Sequence, residues 1–167
     1  MKTLLLLRHA KSSWKETGAR DFDRPLNQRG LKAAPVIGRL IRKRKLRPDL
    51  VLSSPAERAR QTAQLVLDAA GLETELRYDE RIYEASASRL FEIVSQIEDD
   101  ARTAMLVGHN PGLEELVEAL TGEAPGLSTA ALACIELDIE RWSKVQARAN
   151  QLVWLVKPKE LKSSKDD

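Results

Sequence analysis

Short apolar runs alternate along the chain with longer stretches in which apolar positions recur every three or four residues, and this alternation predicts its elements. The run from Lys2 to Leu7, ahead of a polar loop, reads as a strand buried on both faces. From Lys11 to Leu26 the chain carries Ser12, Ser13, Gly18, Asp21, Asp23 and Pro25 without an apolar period, which predicts a functional or covering loop. Leu31, Ala34, Ile37, Leu40 and Ile41 then recur at helical spacing and predict a helix over 28–43, capped by Asn27 and ended by a basic last turn. Pro35 lies inside it and removes a backbone hydrogen bond, so a bend is expected there.

Leu50 to Ser53 reads as a second strand, Ser54-Pro55 as a turn, and 56–70 as a helix that Gly71 can end. A weaker strand signal at Glu75 to Tyr78 is followed by a loop over 79–86 and an amphipathic helix marked by Leu90, Ile93, Val94 and Ile97. Thr103 to Val107 predicts a third buried strand. Pro111 suits the first turn of a helix ending near Leu120, with Thr121-Gly122 as its stop. Strands near Leu132 to Leu137 and Gln151 to Val156 follow, and the lysine-rich tail from Pro158 to Asp167 is predicted to be disordered. Strands alternating with helices predict a three-layer α/β sandwich, a mostly parallel central sheet with helices on both faces, in one domain over 1–157.

Composition narrows the function classes. A chain of 167 residues can bury a core without disulfides, and the single cysteine, Cys134, lies in an apolar run and is expected to be a buried thiol. Among Trp14, Trp142 and Trp154, the last is the one expected in the core. The leucines before Arg8 are too few for a signal-peptide core or a membrane span, so a soluble cytoplasmic protein with no membrane partner is expected. The 27 basic and 25 acidic side chains nearly cancel. The basic cluster of Arg39, Arg42, Lys43, Arg44, Lys45 and Arg47 has no interleaved aromatics for stacking on bases. It reads as a solvated helix end, and nucleic acid is not an expected partner.

Functional charge must therefore be local. The two histidines each follow an apolar strand, in Leu7-Arg8-His9 and Val107-Gly108-His109. Ligands of open α/β sheets bind outside the carboxyl ends of the strands, so two distant positions are expected to converge on one pocket. Arg8 adds a guanidinium at a strand end. Ser53-Ser54-Pro55-Ala56-Glu57-Arg58 places Arg58 in the first turn of a helix at another strand end, whereas Arg60 falls on a different face and reads as a solvent or ion-pair residue. Two arginines, a second histidine and a helix N-terminus suit phosphate. A neutral His9 can then attack phosphorus with one ring nitrogen while an acceptor such as a backbone carbonyl holds the other, giving a phosphohistidine enzyme. No metal or cofactor is expected, because the histidines lack cysteine or carboxylate ligands at a recognisable spacing.

Arg8-His9-Ala10-Lys11-Ser12 resembles the Arg-His-Gly motif of the histidine phosphatase superfamily. Arg24-Pro25-Leu26 with Arg29-Gly30, Ser54-Pro55 with Arg58-Ala59 and Gln61-Thr62, and Gly108-His109-Asn110-Pro111 occur in that family's order, as far as about Gly122. The resemblance implies a phosphoglycerate mutase-like fold, His9 as nucleophile, and Arg8, Arg58 and His109 as ligands of the transferred phosphoryl group. Short length and the lack of a large insertion between Tyr83 and Thr103 make the chain most similar to SixA-like phosphohistidine phosphatases, which implies a phosphorylated substrate such as a phosphohistidine-bearing signalling protein. Ala10 departs from the family's glycine, so any close backbone approach there has to accommodate a methyl group. Glu84 is the positional candidate for the acid that larger relatives use on alkoxide leaving groups, with a loop-exposed carboxylate as its alternative. Ser12 can donate to a phosphate oxygen or make only local backbone bonds. Hydrolysis of a small phosphoester, mutase-like transfer, and non-catalytic phosphate binding stay open beside the phosphohistidine reading.

Overall fold

Leu4, Leu5, Leu6 and Leu7 have no solvent exposure, as expected of a central strand covered on both faces. The computed structural model describes residues 1–15, 18 and 20–161. In chain order its elements are β1 (Lys2–Arg8), α1 (Gln28–Lys43), β2 (Leu50–Ser53), α2 (Glu57–Ala70), β3 (Glu75–Tyr78), α3 (Ala87–Ser95), β4 (Thr103–Gly108), α4 (Gly112–Thr121), β5 (Leu132–Leu137), β6 (Gln151–Val156) and α5 (Pro158–Leu161). Short 3-10 turns lie at Asp21–Asp23, Glu80–Ile82 and Trp142–Lys144.

The strands form one sheet in the order β3-β2-β4-β1-β5-β6. β3, β2, β4 and β1 run parallel, while β5 is antiparallel to both β1 and β6. Strand alternation sorts the core into two layers. Leu5, Leu7, Val51, Met105 and Val107 pack with Ile37 and Ile41 of α1 and Ala63 and Val66 of α2. Leu4, Leu6, Leu50, Leu52 and Leu106 pack with Leu90 and Ile93 of α3 and Leu113 and Leu116 of α4. The α/β three-layer sandwich is thus as expected.

Sequence signals at the helix ends act as predicted. The Asn27 side chain accepts from the Gly30 N–H at 2.9 Å, and Gly71 ends α2 in the left-handed region. α1 is continuous over 28–43 with Pro35 inside it. Pro111 stands one residue before α4, after a cis Asn110-Pro111 peptide, and the helix begins at Gly112. Cys134 is buried, and burial raises its thiol pKa to about 11. Two expectations need correction. Trp142, not Trp154, is the fully buried tryptophan, its indole N–H donating to the Ala101 carbonyl at 2.8 Å, whereas Trp154 is half-buried on edge strand β6 beneath Arg44. The predicted disordered tail starts too early: Pro158 is buried and opens α5, which contacts α1, and the remainder of that tail lies outside the described residues.

Candidate active site

β1 and β4 are neighbours, but the chain leaves β1 towards α1 on one face and leaves β4 towards α4 on the other. A crevice therefore opens between their carboxyl ends, where open α/β sheets bind ligands. The register pairs Arg8 with Gly108, and the His9 N–H donates to the Gly108 carbonyl at 3.0 Å. That pairing brings the two histidines together, with ring centroids 5.1 Å apart.

His9 is buried, and its Nδ1 lies 2.7 Å from the Ala10 carbonyl oxygen. A carbonyl can only accept, so in the neutral ring the proton sits on Nδ1 and the lone pair on Nε2. Burial lowers the His9 pKa to about 4, partly opposed by the bond to Ala10 and reinforced by Arg58, Arg8 and Arg24. His109 falls to about 3, again mainly through burial and then through His9 and Arg58. Both rings are neutral near pH 7. Nε2 of His109 lies 2.7 Å from the Ser54 hydroxyl, which also accepts from the Ala56 N–H.

Arg8 and Arg58 reach the crevice from β1 and α2. Arg8 donates to the Leu127 carbonyl at 3.1 Å, and its pKa is lowered by burial, with Glu114 opposing. Arg58 grips Asp21 twice, through the backbone carbonyl at 2.7 Å and the carboxylate at 3.1 Å. Among the described residues, the buried side-chain polar atoms without a partner are Nε of Arg8, Nε of Arg58 and Nδ1 of His109. Buried polar groups are nearly always satisfied, so three orphans on neighbouring residues mark where a polyanion would complete the structure.

The sequence-predicted residues thus meet in part. Arg8, His9, Arg58 and His109 converge, and Arg60 is exposed and paired with Glu57 at 3.9 Å, as expected. Ser12 lies at the rim, its hydroxyl accepting from Arg24 at 2.7 Å. Glu84 is exposed and makes no hydrogen bond or ion pair with another described residue, although it follows Tyr83, whose ring stands edge-on to His109 at 5.6 Å. Its φ of 55° puts it in the left-handed region, which is uncommon outside glycine. Ala10 is wholly buried without a positive φ, within the same core layer as Leu5, Leu7 and Ala34, so the strand-end loop accommodates alanine.

Sequence reasoning missed a supporting set. Asp21 accepts from Arg58, from Arg24 at 3.1 Å and from the Tyr83 hydroxyl at 2.6 Å, and these bonds, led by Tyr83, hold its carboxyl at about 2. Tyr83 is correspondingly pushed up to about 12 by burial and by Asp21. Thr62, one turn after Arg58, donates to the Arg58 carbonyl at 2.7 Å and accepts from the Ala10 N–H at 2.9 Å. Gln61 accepts from the Leu26 N–H at 2.7 Å. The spacing of Arg58, Gln61 and Thr62 on one helix face was the available signal. Nothing in local pattern connects Asp21 to Tyr83, 62 positions away.

A crevice with paired arginines and a neutral imidazole at a switch point of the sheet has groups suited to holding a phosphoryl group and a lone pair suited to attacking it. The chain belongs to the histidine phosphatase superfamily (branch 1), whose family profile matches residues 4–111, and it is a phosphatase by that membership. An uncharacterised Mycobacterium tuberculosis protein is 38% identical over 114 residues, covering 68% of this chain and 69% of its own. The structure of a proposed phosphohistidine phosphatase SixA from Agrobacterium tumefaciens is similar at TM-score 0.82 and 34% identity, over 94% of this chain and 98% of that one. A mycobacterial glucosyl-3-phosphoglycerate phosphatase shares the fold at TM-score 0.71 and 20% identity, over 92% of this chain and 99% of that one. Among the described residues no helix is long and apolar enough to cross a membrane. No cluster of three or more histidine, cysteine, aspartate or glutamate side chains there could hold a metal ion.

Proposed function

We propose that this phosphatase dephosphorylates phosphohistidine in a protein substrate through a covalent phosphohistidine intermediate on His9. The observation that carries the reading is the commitment of His9 Nδ1 to the Ala10 carbonyl, beside three residues that each hold an unpartnered buried nitrogen. The Nε2 lone pair attacks phosphorus in line, a bond from Nε2 to phosphorus forms, and the bond to the substrate's leaving nitrogen breaks with its electron pair. Water then attacks the phosphoryl-enzyme, the Nε2–P bond breaks, and inorganic phosphate and neutral His9 result. Arg8, Arg58 and an Nδ1–H on His109 neutralise charge on the equatorial oxygens. An anion selects that tautomer of His109 while the Ser54 hydroxyl donates to Nε2. Ser12, held by Arg24, keeps its own O–H available for a phosphate oxygen.

The leaving group follows from the acids at hand. Asp21 is held ionised far below neutrality, and Tyr83 directs its proton at Asp21. Glu84 stands outside this network. An imidazole leaving group can be protonated before reaction and depart unaided, whereas an alkoxide gains much from an enzymic acid. The likeness to the Agrobacterium protein supports the same substrate class. A second reading, a small phosphoester, is favoured by the left-handed backbone at Glu84, since uncommon conformations cluster at functional positions and this one holds a carboxylate next to Tyr83.

The test compares a phosphohistidine peptide with para-nitrophenyl phosphate, in EDTA, for the wild type, His9→Ala and Glu84→Gln. Loss of both activities in His9→Ala, with the peptide activity surviving Glu84→Gln, is the expected result. Retention of wild-type turnover in His9→Ala would overturn the proposal, and a wild type active only on the ester would leave the second reading.

A further inference from the structure

Lys11, Arg29, and the pair Lys157 and Lys159 come from three separate segments, the β1–α1 loop, α1 and the β6–α5 junction, yet they line one open cleft of about 620 Å³ with Ser128 and Thr129. Among the described residues no acidic side chain lines it. None of the four cations makes a side-chain hydrogen bond or ion pair with another described residue. Four like charges gathered with no counter-ion among the described residues cost stability through mutual repulsion, and a partner of opposite charge relieves that cost.

The cleft shares an end of the sheet with His9. Lys11 is two residues beyond His9. Ser128 and Thr129 lie between Leu127, whose carbonyl accepts from Arg8, and Ala130, whose N–H donates to the Arg8 and His9 carbonyls. Val156 pairs with Leu132, which pairs with Leu7, so Lys157 stands two strand spacings, about 10 Å, from Arg8.

We infer that this cleft docks an acidic stretch of the phosphorylated protein whose phosphoryl group enters at His9; the inference rests on the protein-substrate reading above. Its construction differs from that of the phosphate site. There the binding groups are buried and orphaned, whereas Lys11, Arg29 and Lys159 are exposed and none of the orphaned buried atoms belongs to the cleft. Three of the four cations are lysines, compact charges on flexible stems, which suit an irregular acidic surface better than the fixed geometry of a single small anion. Among the described residues no aromatic side chain lines the cleft to stack on a base, which disfavours a nucleic acid. Charges at such a rim act mainly on encounter and are sensitive to salt.

Two full-length double variants test the inference, Arg29→Glu with Lys157→Glu and Arg29→Gln with Lys157→Gln. The substrates are a phosphohistidine peptide flanked by four glutamates, the same peptide flanked by glutamines, and para-nitrophenyl phosphate. The wild type should favour the glutamate peptide by about tenfold in kcat/KM at low salt, and salt should erase the preference. Both variants should lose it through KM, with kcat and ester turnover unchanged. Binding of a labelled, unphosphorylated glutamate-rich peptide, followed by fluorescence anisotropy, should weaken in parallel, and this arm reads the cleft even if no phosphohistidine peptide is hydrolysed. Equal wild-type handling of the two peptides, or a preference and peptide affinity that survive both variants, would overturn the inference. So would a single-stranded oligonucleotide that binds in place of the acidic peptide, or a variant effect confined to a small bis-phosphorylated ester.

Discussion

At the scale of single residues, the site depends on keeping His9 uncharged and singly oriented. Burial and the neighbouring arginines lower its pKa to about 4, so an NMR titration of the His9 ring in the free protein should show a midpoint near 4 rather than 6.5. Tungstate or phosphate should raise it, because an anion opposes the arginines; an unperturbed midpoint near 6.5 would mean that the ring is solvated. Asp21 is the second residue-level device, since it fixes the Arg58 fork while remaining ionised. Asp21→Asn should lower kcat/KM on para-nitrophenyl phosphate by about tenfold, within the range for removing a positioned charge. It should also bring the Tyr83 phenol down from about 12 towards its ordinary value in a spectrophotometric titration. Arg8, His9, Arg58 and His109 were legible because each stands at a strand end or in a first helical turn. Asp21, Tyr83 and Ser54 were not, because their roles arise from hydrogen bonds made only when distant loops meet.

At the scale of elements, α1 bears directly on the site although it contributes no phosphate-binding side chain. Gly30, in its first turn, backs onto Lys11, and a methyl group there would run into the Lys11 carbonyl oxygen. Gly30→Ala should therefore push Lys11 and the preceding Ala10 carbonyl, which orients His9. A stability loss of roughly 1–3 kcal/mol in urea melts, the usual range for overpacking, should come with a fall in kcat on para-nitrophenyl phosphate. Unchanged melts and turnover would show that α1 is not braced against that loop. Helix positions were read well from apolar periodicity, caps and stops. Strand direction was not: the period of Leu132–Leu137 is the same whichever way the strand runs. β5 is antiparallel because the chain after α4 returns over 122–131 to the carboxyl end of β1, where the Ala130 N–H donates to the Arg8 and His9 carbonyls, and enters the sheet from that end.

At the scale of the whole molecule, the depressed histidines link stability to pH. The folded state holds His9 near 4 and His109 near 3, whereas in the unfolded chain both titrate near 6.5. Their contribution is therefore fully present above about 6.5 and declines as pH falls towards 4, because the unfolded chain takes up protons that the folded one excludes. Asp21 works in a separate window, its stabilisation fading only as pH falls from 3.8 towards 2. Urea midpoints should drop between pH 6.5 and 4.5, and a His9→Asn, His109→Asn variant should flatten that drop. An equally steep fall in the variant would assign it to other groups.

The central claim is that the phosphoryl group rests on His9, and the most direct measurement is rapid-quench trapping with a radiolabelled phosphoryl donor in EDTA, followed by peptide mapping. The account predicts a pre-steady-state burst of acid-labile, base-stable label on the peptide bearing His9, absent from His9→Ala. Label on any other residue, or full turnover by His9→Ala, would contradict it.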